Sequence, residues 1–219
     1  ENELPYIKSL IEDLKRIDQN NSEISINLLF EEGEGVFNRT NDYFEKRIIT
    51  FSKGLNEGQI KQISLHFEEL VRKREEENKK DKRDYKERVL DNYISGFERI
   101  GIDLRDDQME GVKLQLEQYL EISKEWSDLR QQWIEDFIKL LKNRESYGYE
   151  SQMKKFFKSL DNLGNEEFRL KADRNEKITL EIINFVFRTA DPKQMKSFDR
   201  TLDVYLKSIN RILSKRQVK

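Results

Sequence analysis

Cysteine is missing from the 219 residues of this chain, and histidine occurs only once. Disulfide bonds, thiolate nucleophiles and cysteine-ligated metals are therefore excluded. The single imidazole, His66, lacks the second histidine of a His-Glu-x-x-His zinc site, and the Glu-x-x-His repeat of di-iron bundles does not occur. We expect His66 to be a partly exposed helix residue, and we predict no catalytic residue, no metal ligand and no cofactor site.

Proline and glycine are also scarce, with two and nine residues. A β-sandwich or barrel needs a turn signal every ~8–12 residues, so this scarcity predicts an all-α protein. Hydrophobic residues make up 36% of the chain and charged residues 38%, a thin supply of core that favours elongated shapes. Because no Gly/Ser/Pro-rich linker divides residues 1–219, we predict a single domain, an elongated bundle of about six to seven amphipathic helices, several of them long.

The chain has neither a strong excess of one charge nor a long apolar run. Its formal net charge of -2 gives no general attraction to a polyanion, so we expect no nucleic-acid partner. No stretch approaches the ~18 consecutive apolar residues of a transmembrane helix. Because the chain begins at Glu1 without a methionine or a signal peptide, we expect a processed or trimmed form.

What the sequence does contain is a recurrent helix-start pattern. In two copies a capping residue, Asn56 or Asp191, precedes a glutamine by three positions, which satisfies free amide groups at a helix N-terminus. Pro192 then occupies the first helical position, whereas the middle copy is weaker because it has Arg105 where a cap belongs. The copies are Leu55-Asn56-Glu57-Gly58-Gln59, Leu104-Arg105-Asp106-Asp107-Gln108 and Ala190-Asp191-Pro192-Lys193-Gln194.

Apolar pairs at the two positions of a hydrophobic staple flank each start, and they fix the angle at which the chain enters the helix. A fourth possible start has the same layout with Glu167 in place of glutamine. These motifs predict architecture, and they specify no activity. The staple pairs are Leu55/Ile60, Leu104/Met109 and Ala190/Met195, and the fourth start is Leu163-Gly164-Asn165-Glu166-Glu167-Phe168.

The segment that begins at Ser22 is predicted to be helical, although residues 24–28 alternate like a strand. Gly33-Glu34-Gly35 lacks the lysine and the spacing of a phosphate loop, and its acidic surroundings repel phosphate, so we interpret it as a helix break. After this break the helical period of apolar residues resumes at Phe37, Phe44, Ile48, Phe51 and Leu55.

Two later segments allow alternative interpretations. Residues 72–84 contain no apolar side chain, which favours a solvated helix with pairs such as Glu75/Lys79 and Glu76/Lys80; the alternative is a docking strip for a charged partner. Residues 103–147 form the longest periodic segment and predict one central packing helix. Its Trp126 and Trp133, a heptad apart, are interpreted as core, with a ligand box or an interface hot spot as the alternative.

Several of these features together resemble an uncharacterised family of bacterial envelope lipoproteins, a domain of unknown function. The resemblance covers nearly the entire chain, and it implies the helical body of a Gram-negative periplasmic protein. A lipidated cysteine upstream would then anchor the full-length protein to the outer membrane, which would be its only membrane contact. The features are the opening Glu3-Leu4-Pro5-Tyr6-Ile7-Lys8-Ser9-Leu10, the Leu-x-x-x-Gln helix starts, the charged end of the third helix and the Trp126/Trp133 helix.

The helix starts are also similar to the Leu-Thr-x-x-Gln motif of Spy/CpxP-type periplasmic chaperones, although Asn56, Arg105 or Asp191 replaces the threonine. Two main hypotheses follow. The chain is a non-enzymatic subunit or adaptor of an envelope assembly that binds other envelope proteins, or it is a Spy-like chaperone that holds unfolded ones. A third hypothesis, an enzyme that uses paired carboxylates, has no pair selected by the sequence. No partner-binding residue can be identified at this level.

Overall fold

The computed structural model describes residues 3–17, 22–159 and 163–215, without the side chains of residues 22–24, 78 and 79. This part of the chain is helical and contains no strand, which confirms the all-α prediction. The predicted number of six to seven helices was wrong, because these residues form nine. The helices are α1 (Leu4–Leu14), α2 (Ser22–Lys53), α3 (Glu57–Lys80), α4 (Tyr85–Arg99), α5 (Asp106–Leu116), α6 (Ser123–Lys142), α7 (Tyr149–Lys158), α8 (Glu166–Thr189) and α9 (Pro192–Ser214).

The predicted central helix over residues 103–147 is two helices, α5 and α6. After α5 the backbone N–H groups of Glu117, Gln118 and Tyr119 donate to carbonyls three residues earlier, at 3.0–3.3 Å. Such 3₁₀-type bonds tighten the last turn and end the α-helix. The apolar spacing continues through this break, so periodicity alone could not detect it.

The predicted break at Gly33-Glu34-Gly35 was also wrong, because α2 continues through it. Glycine in a helix interior costs about 0.5–1 kcal/mol relative to alanine, but it does not by itself end a helix. The glycines with positive φ are Gly101, Gly148 and Gly164, which lie in the turns between helices. Glycine therefore acts as a turn residue at those positions and only as a weak helix residue in α2.

The charged run is solvated for most of its length, and its helix, α3, ends at Lys80. In the described part of the chain, Glu76 does not form the predicted pair with Lys80. Glu76 bonds to Arg72 at 2.7 Å, and Lys73 bonds to Glu69 at 2.8 Å. The predicted Glu75/Lys79 pair lies outside the described side chains.

The chain forms two compact units. The first consists of Glu1–Thr40, Asp84–Tyr119 and Arg174–Lys219, and the second of Asn41–Arg83 and Leu120–Asp173. Helices α2 and α8 contribute residues to both units. The single domain expected over residues 1–219 stays a prediction.

The core of the first unit is built where α1 packs on α9 and α4 packs on α5. The turn before α5 comes very close to α9 at Gly101, whose φ is +87°. A Cβ there would lie 2.8 Å from the carbonyl oxygen of Ser197, so this position needs glycine. The buried residues of this core are Ile17, Ile26, Leu90, Phe97, Ile102, Val112, Leu116, Ile178, Ile182, Val186, Phe187, Phe198 and Leu202.

The second unit has two smaller cores that share Phe137 as a partly buried neighbour. Trp133 stacks on Phe137 at a centroid distance of 5.3 Å and lies 5.0 Å from the ring of Phe156. Trp126, 40% exposed, packs edge-on against Phe168. Trp133 therefore packs against two aromatic rings, whereas Trp126 is in large part exposed. The buried residues of these cores are Leu55, Ile60, Ile138 and Leu141 in one, and Ile49, Tyr149 and Met153 in the other.

Candidate functional site

The second and third helix-start motifs meet in the core of the first unit. Gln108 at the start of α5 is fully buried, and Gln194 at the start of α9 is 6% exposed. The Nε2 of Gln194 donates to Oε1 of Gln108 at 2.8 Å and to the carbonyl of Asp103 at 2.6 Å. The Nε2 of Gln108 donates to Oγ1 of Thr189 at 3.1 Å. Two buried amides thus satisfy each other, which a buried polar pair requires.

The start of α9 forms a complete capping box. The backbone N–H of Gln194 donates to Oδ1 of Asp191 at 2.8 Å, and the N–H of Asp191 donates to Oε1 of Gln194 at 3.0 Å. Pro192 follows at the first helical position. The backbone hydrogen bond from Gln194, the largest cause, lowers the pKa of Asp191, and the charge of Arg105 lowers it further.

The start of α5 forms only half of a capping box. The N–H of Arg105 donates to Oε1 of Gln108 at 3.1 Å, but a guanidinium has no acceptor to return the bond. Arg105 instead donates to Oε1 of Gln194 at 2.8 Å, to Asp191 at 3.2 Å and to the carbonyl of Thr189 at 3.1 Å. Arg105, the residue that weakens the cap at α5, therefore joins the starts of α5 and α9 by hydrogen bonds.

Two further hydrogen bonds orient this arginine. Its guanidinium donates to both carboxylate oxygens of Asp107 at 3.0 Å, and this contact is the main cause of the raised pKa of Arg105. The staple partner Leu104 lies partly buried against the core of the first unit. The helix starts of α5 and α9 are thus held together by side-chain hydrogen bonds at the core of the first unit.

The first helix-start motif lies in the second unit. Asn56 and Gln59 form a complete capping box with both bonds at 2.9 Å, and Leu55 is buried. Arg144 is also buried, and its Nε donates to the carbonyl of Leu55 at 2.6 Å while Nη1 bonds to Glu57 at 2.7 Å. Arg144 lies two residues after the end of α6. No local pattern in the sequence marks it as the partner of this turn.

The fourth start lies one residue later than its layout suggests. The side chain of Asn165 accepts a hydrogen bond from the N–H of Phe168 at 2.8 Å, so Asn165 caps α8. Glu167 falls inside the first turn rather than at the third helical position. An asparagine cap therefore replaces the predicted glutamate arrangement.

Metal-binding clusters were sought among the described residues, and no group of histidine and carboxylate side chains is placed to hold an ion. His66 is exposed on α3. Within the same residues, none of the helices has the length and apolar character needed to cross a membrane. The predicted helix-start residues thus build cores and turns, and the candidate functional surface lies elsewhere.

That surface is on α2. Phe30, Phe37, Phe44 and Phe51 follow one another at intervals of seven residues, and their side chains are 36–68% exposed. Phe30 and Phe37 belong to the part of α2 in the first unit, and Phe44 and Phe51 to the part in the second. Seven residues make nearly two helical turns, so within each unit the second phenylalanine returns to almost the same side of the helix as the first. We use the name phenylalanine face for each of these two pairs, Phe30 with Phe37 and Phe44 with Phe51.

Gly33 adds open space beside the two phenylalanines in the first unit. It lies three residues after Phe30 and four residues before Phe37, which places it on their side of the helix. An added Cβ at Gly33 would meet no described atom within 4 Å. The helix therefore has glycine, a weak helix former, at a position where no described atom of its own unit would contact a Cβ.

Two arginines of α2 lie over exposed tyrosine rings. The guanidinium of Arg39 lies 4.4 Å from the ring centre of Tyr6 in the first unit. In the second unit, Arg47 lies 4.3 Å from the ring centre of Tyr43. Both are cation–π contacts at solvent-exposed sites. In each unit an arginine of α2 thus lies against an exposed aromatic ring, and Arg39 is also paired with Glu3 at 3.1 Å.

Comparisons of the chain with protein-family models, with curated proteins and with solved structures give no match.

Proposed function

We propose that this chain is a non-enzymatic protein-binding body that acts as a subunit or adaptor of an envelope assembly. The phenylalanine face of α2 is the observation that supports this proposal. Single exposed apolar residues are common on protein surfaces, but large aromatic side chains repeated along one side of a helix are typical of an interaction surface.

The repeat favours a helical partner. Apolar residues at a period of seven are the pattern by which one helix packs along another, with side chains inserted into holes on the facing helix. The open space at Gly33, beside Phe30 and Phe37, leaves room for such a side chain. An amphipathic helix whose apolar stripe faces α2 therefore fits this surface.

The proposed location follows from the resemblance in the sequence. We place the protein in the periplasm of a Gram-negative bacterium, anchored to the outer membrane by a lipid attached upstream of this chain. The partners are then other envelope proteins, and nucleic acid is not among them.

A photocrosslinking experiment tests the proposal. The photoreactive amino acid benzoylphenylalanine replaces Phe37 or Phe44 in the full-length tagged protein, and crosslinking is performed in the native envelope. Matched controls carry it at Leu114 in the first unit and at Leu170 in the second, which are as exposed as Phe37. One dominant partner captured from the phenylalanine positions and not from the leucine positions is the expected result. Equal capture from all four positions would overturn the proposal.

The second candidate function is a chaperone that holds unfolded envelope proteins. The interleaved contacts of Arg39 with Tyr6 and of Arg47 with Tyr43 favour it, because mixed apolar and basic groups suit many unfolded chains. In the same experiment, capture of a broad set of unrelated, partly unfolded proteins would select the chaperone over the adaptor.

A further inference from the structure

A groove of about 450 Å³ lies within the second unit, between the C-terminal half of α3 and the N-terminal half of α6. Ligand sites for small molecules have volumes of roughly 300–1,000 Å³ and are mostly apolar with a few polar groups. This groove has that composition. Its apolar wall consists of Phe67, Leu70, Val71, Trp133 and Ile134.

Two arginines line the groove from opposite helices, Arg74 from α3 and Arg130 from α6. Within the residues that the structure describes, neither forms an ion pair with a carboxylate. They are close enough to influence each other: desolvation is the main cause that lowers the pKa of Arg130, and the charge of Arg74 lowers it further. Both side chains are exposed, and their like charges are close enough to repel each other.

The other charged groups of the groove do not neutralise this pair. Lys73 is bonded to Glu69. Glu75 and Glu77 also line the groove, but in the described part of the chain they form no ion pair with either arginine. The positive charge of Arg74 and Arg130 therefore remains available to a ligand.

Trp133, which also lines the groove, has a hydrogen-bond donor without an acceptor in the described part of the chain. Its indole Nε1–H is buried, and among the described residues it has no hydrogen-bond partner. Buried donors in folded proteins are almost always paired. The groove is thus lined by two arginines without an ion pair in the described part of the chain, and by a tryptophan whose buried N–H has no partner there.

We propose that this groove binds a small single-chain amphiphile with an anionic head, such as a fatty-acid carboxylate. The apolar chain lies along Val71 and Ile134, and the carboxylate lies between Arg74 and Arg130. Arginine suits this role because its planar guanidinium donates two parallel hydrogen bonds to a carboxylate. The volume fits a small molecule, and the apolar wall distinguishes the site from one for an inorganic anion.

Isothermal titration calorimetry on the unaltered chain tests the head-group requirement. Decanoate, decanol and decyltrimethylammonium are titrated separately, each below the concentration at which it forms micelles. Decanoate is expected to bind about ten- to a hundredfold more tightly than decanol, because charge-assisted hydrogen bonds are lost with the alcohol. The cationic amphiphile is expected not to bind. Equal affinity for decanoate and decanol would overturn the proposal, and this result requires no variant of the protein.

Fluorescence locates the site. In the Trp126→Phe background the only tryptophan is Trp133, so a saturable change in its emission on adding decanoate reports binding at the groove. Binding by calorimetry without any change at Trp133 would place the ligand elsewhere and refute the assignment.

A double variant, R74Q with R130Q, tests the role of the arginine pair. It is expected to bind decanoate no better than decanol, and its thermal midpoint should not fall, because the change removes a like-charge contact. The control R169Q with R188Q alters two exposed arginines on α8 outside the groove and should keep the preference for decanoate. Retention of that preference in R74Q/R130Q would overturn the proposal.

Discussion

Replacement of Gln108 by leucine tests whether the paired helix starts stabilise the first unit. Leucine has nearly the same volume as glutamine, so the change removes hydrogen bonds and leaves no large cavity. Five bonds are lost. The three shortest are the one from the N–H of Arg105 at 3.1 Å, the one from Gln194 at 2.8 Å and the one to Thr189 at 3.1 Å. The other two run from Nε2 of Gln108 to the carbonyl of Val186 and to Oε1 of Gln194, at 3.5 and 3.4 Å.

The expected loss follows from these contacts. Each bond contributes roughly 0.5–1.5 kcal/mol, and a buried group left unpaired costs about 1–3 kcal/mol. Gln194 keeps its bond to the carbonyl of Asp103, so its amide is not left entirely without a partner. We therefore expect Gln108→Leu to lower the free energy of unfolding by about 2–4 kcal/mol.

Urea unfolding followed by two signals provides the measurement. Far-UV circular dichroism reports both units, whereas tryptophan fluorescence reports the second, because Trp126 and Trp133 both lie there. The control, Gln118→Leu, changes an exposed glutamine after α5 and should alter the free energy by less than about 0.5 kcal/mol. Equal effects of the two substitutions would refute the reasoning. A shift seen by dichroism and not by fluorescence would show that the units unfold separately.

Two further substitutions carry predictions. Gly33→Ala should raise the free energy of unfolding by about 0.5–1 kcal/mol, because alanine is the better helix former, and should reduce partner capture at Phe37 by filling the space beside it; greater stability with unchanged capture would contradict the helical-partner interpretation. Asp191→Asn keeps the cap and removes its charge. Because the folded-state pKa of Asp191 is lowered, its ionised form stabilises the protein above the ordinary value of 3.8, and this contribution is lost as the pH falls. The stability difference between wild type and Asp191→Asn, measured by thermal unfolding against pH, should shrink below that value; a constant difference would contradict it.

Local chemistry made part of this fold predictable. The capping boxes at Asn56 and Asp191 depend on residues three positions apart, so the sequence contains the whole motif. The bonds from Arg105 to Gln194 and from Arg144 to Leu55 were not predictable, because each joins positions more than eighty residues apart in the chain. The groove between α3 and α6 depends in the same way on which helices become neighbours.

The phenylalanine face shows why periodicity alone did not locate the interaction surface. An apolar residue that recurs every three or four positions usually marks the side of a helix that faces its own core, and Phe37, Phe44 and Phe51 belong to such a period in the sequence. In the structure Ile49 is buried while these phenylalanines are exposed. The same period serves a core and a partner equally well, since both present an apolar surface to the helix. What distinguishes them is whether the chain itself supplies the opposing surface, and the described residues leave Phe37, Phe44 and Phe51 exposed.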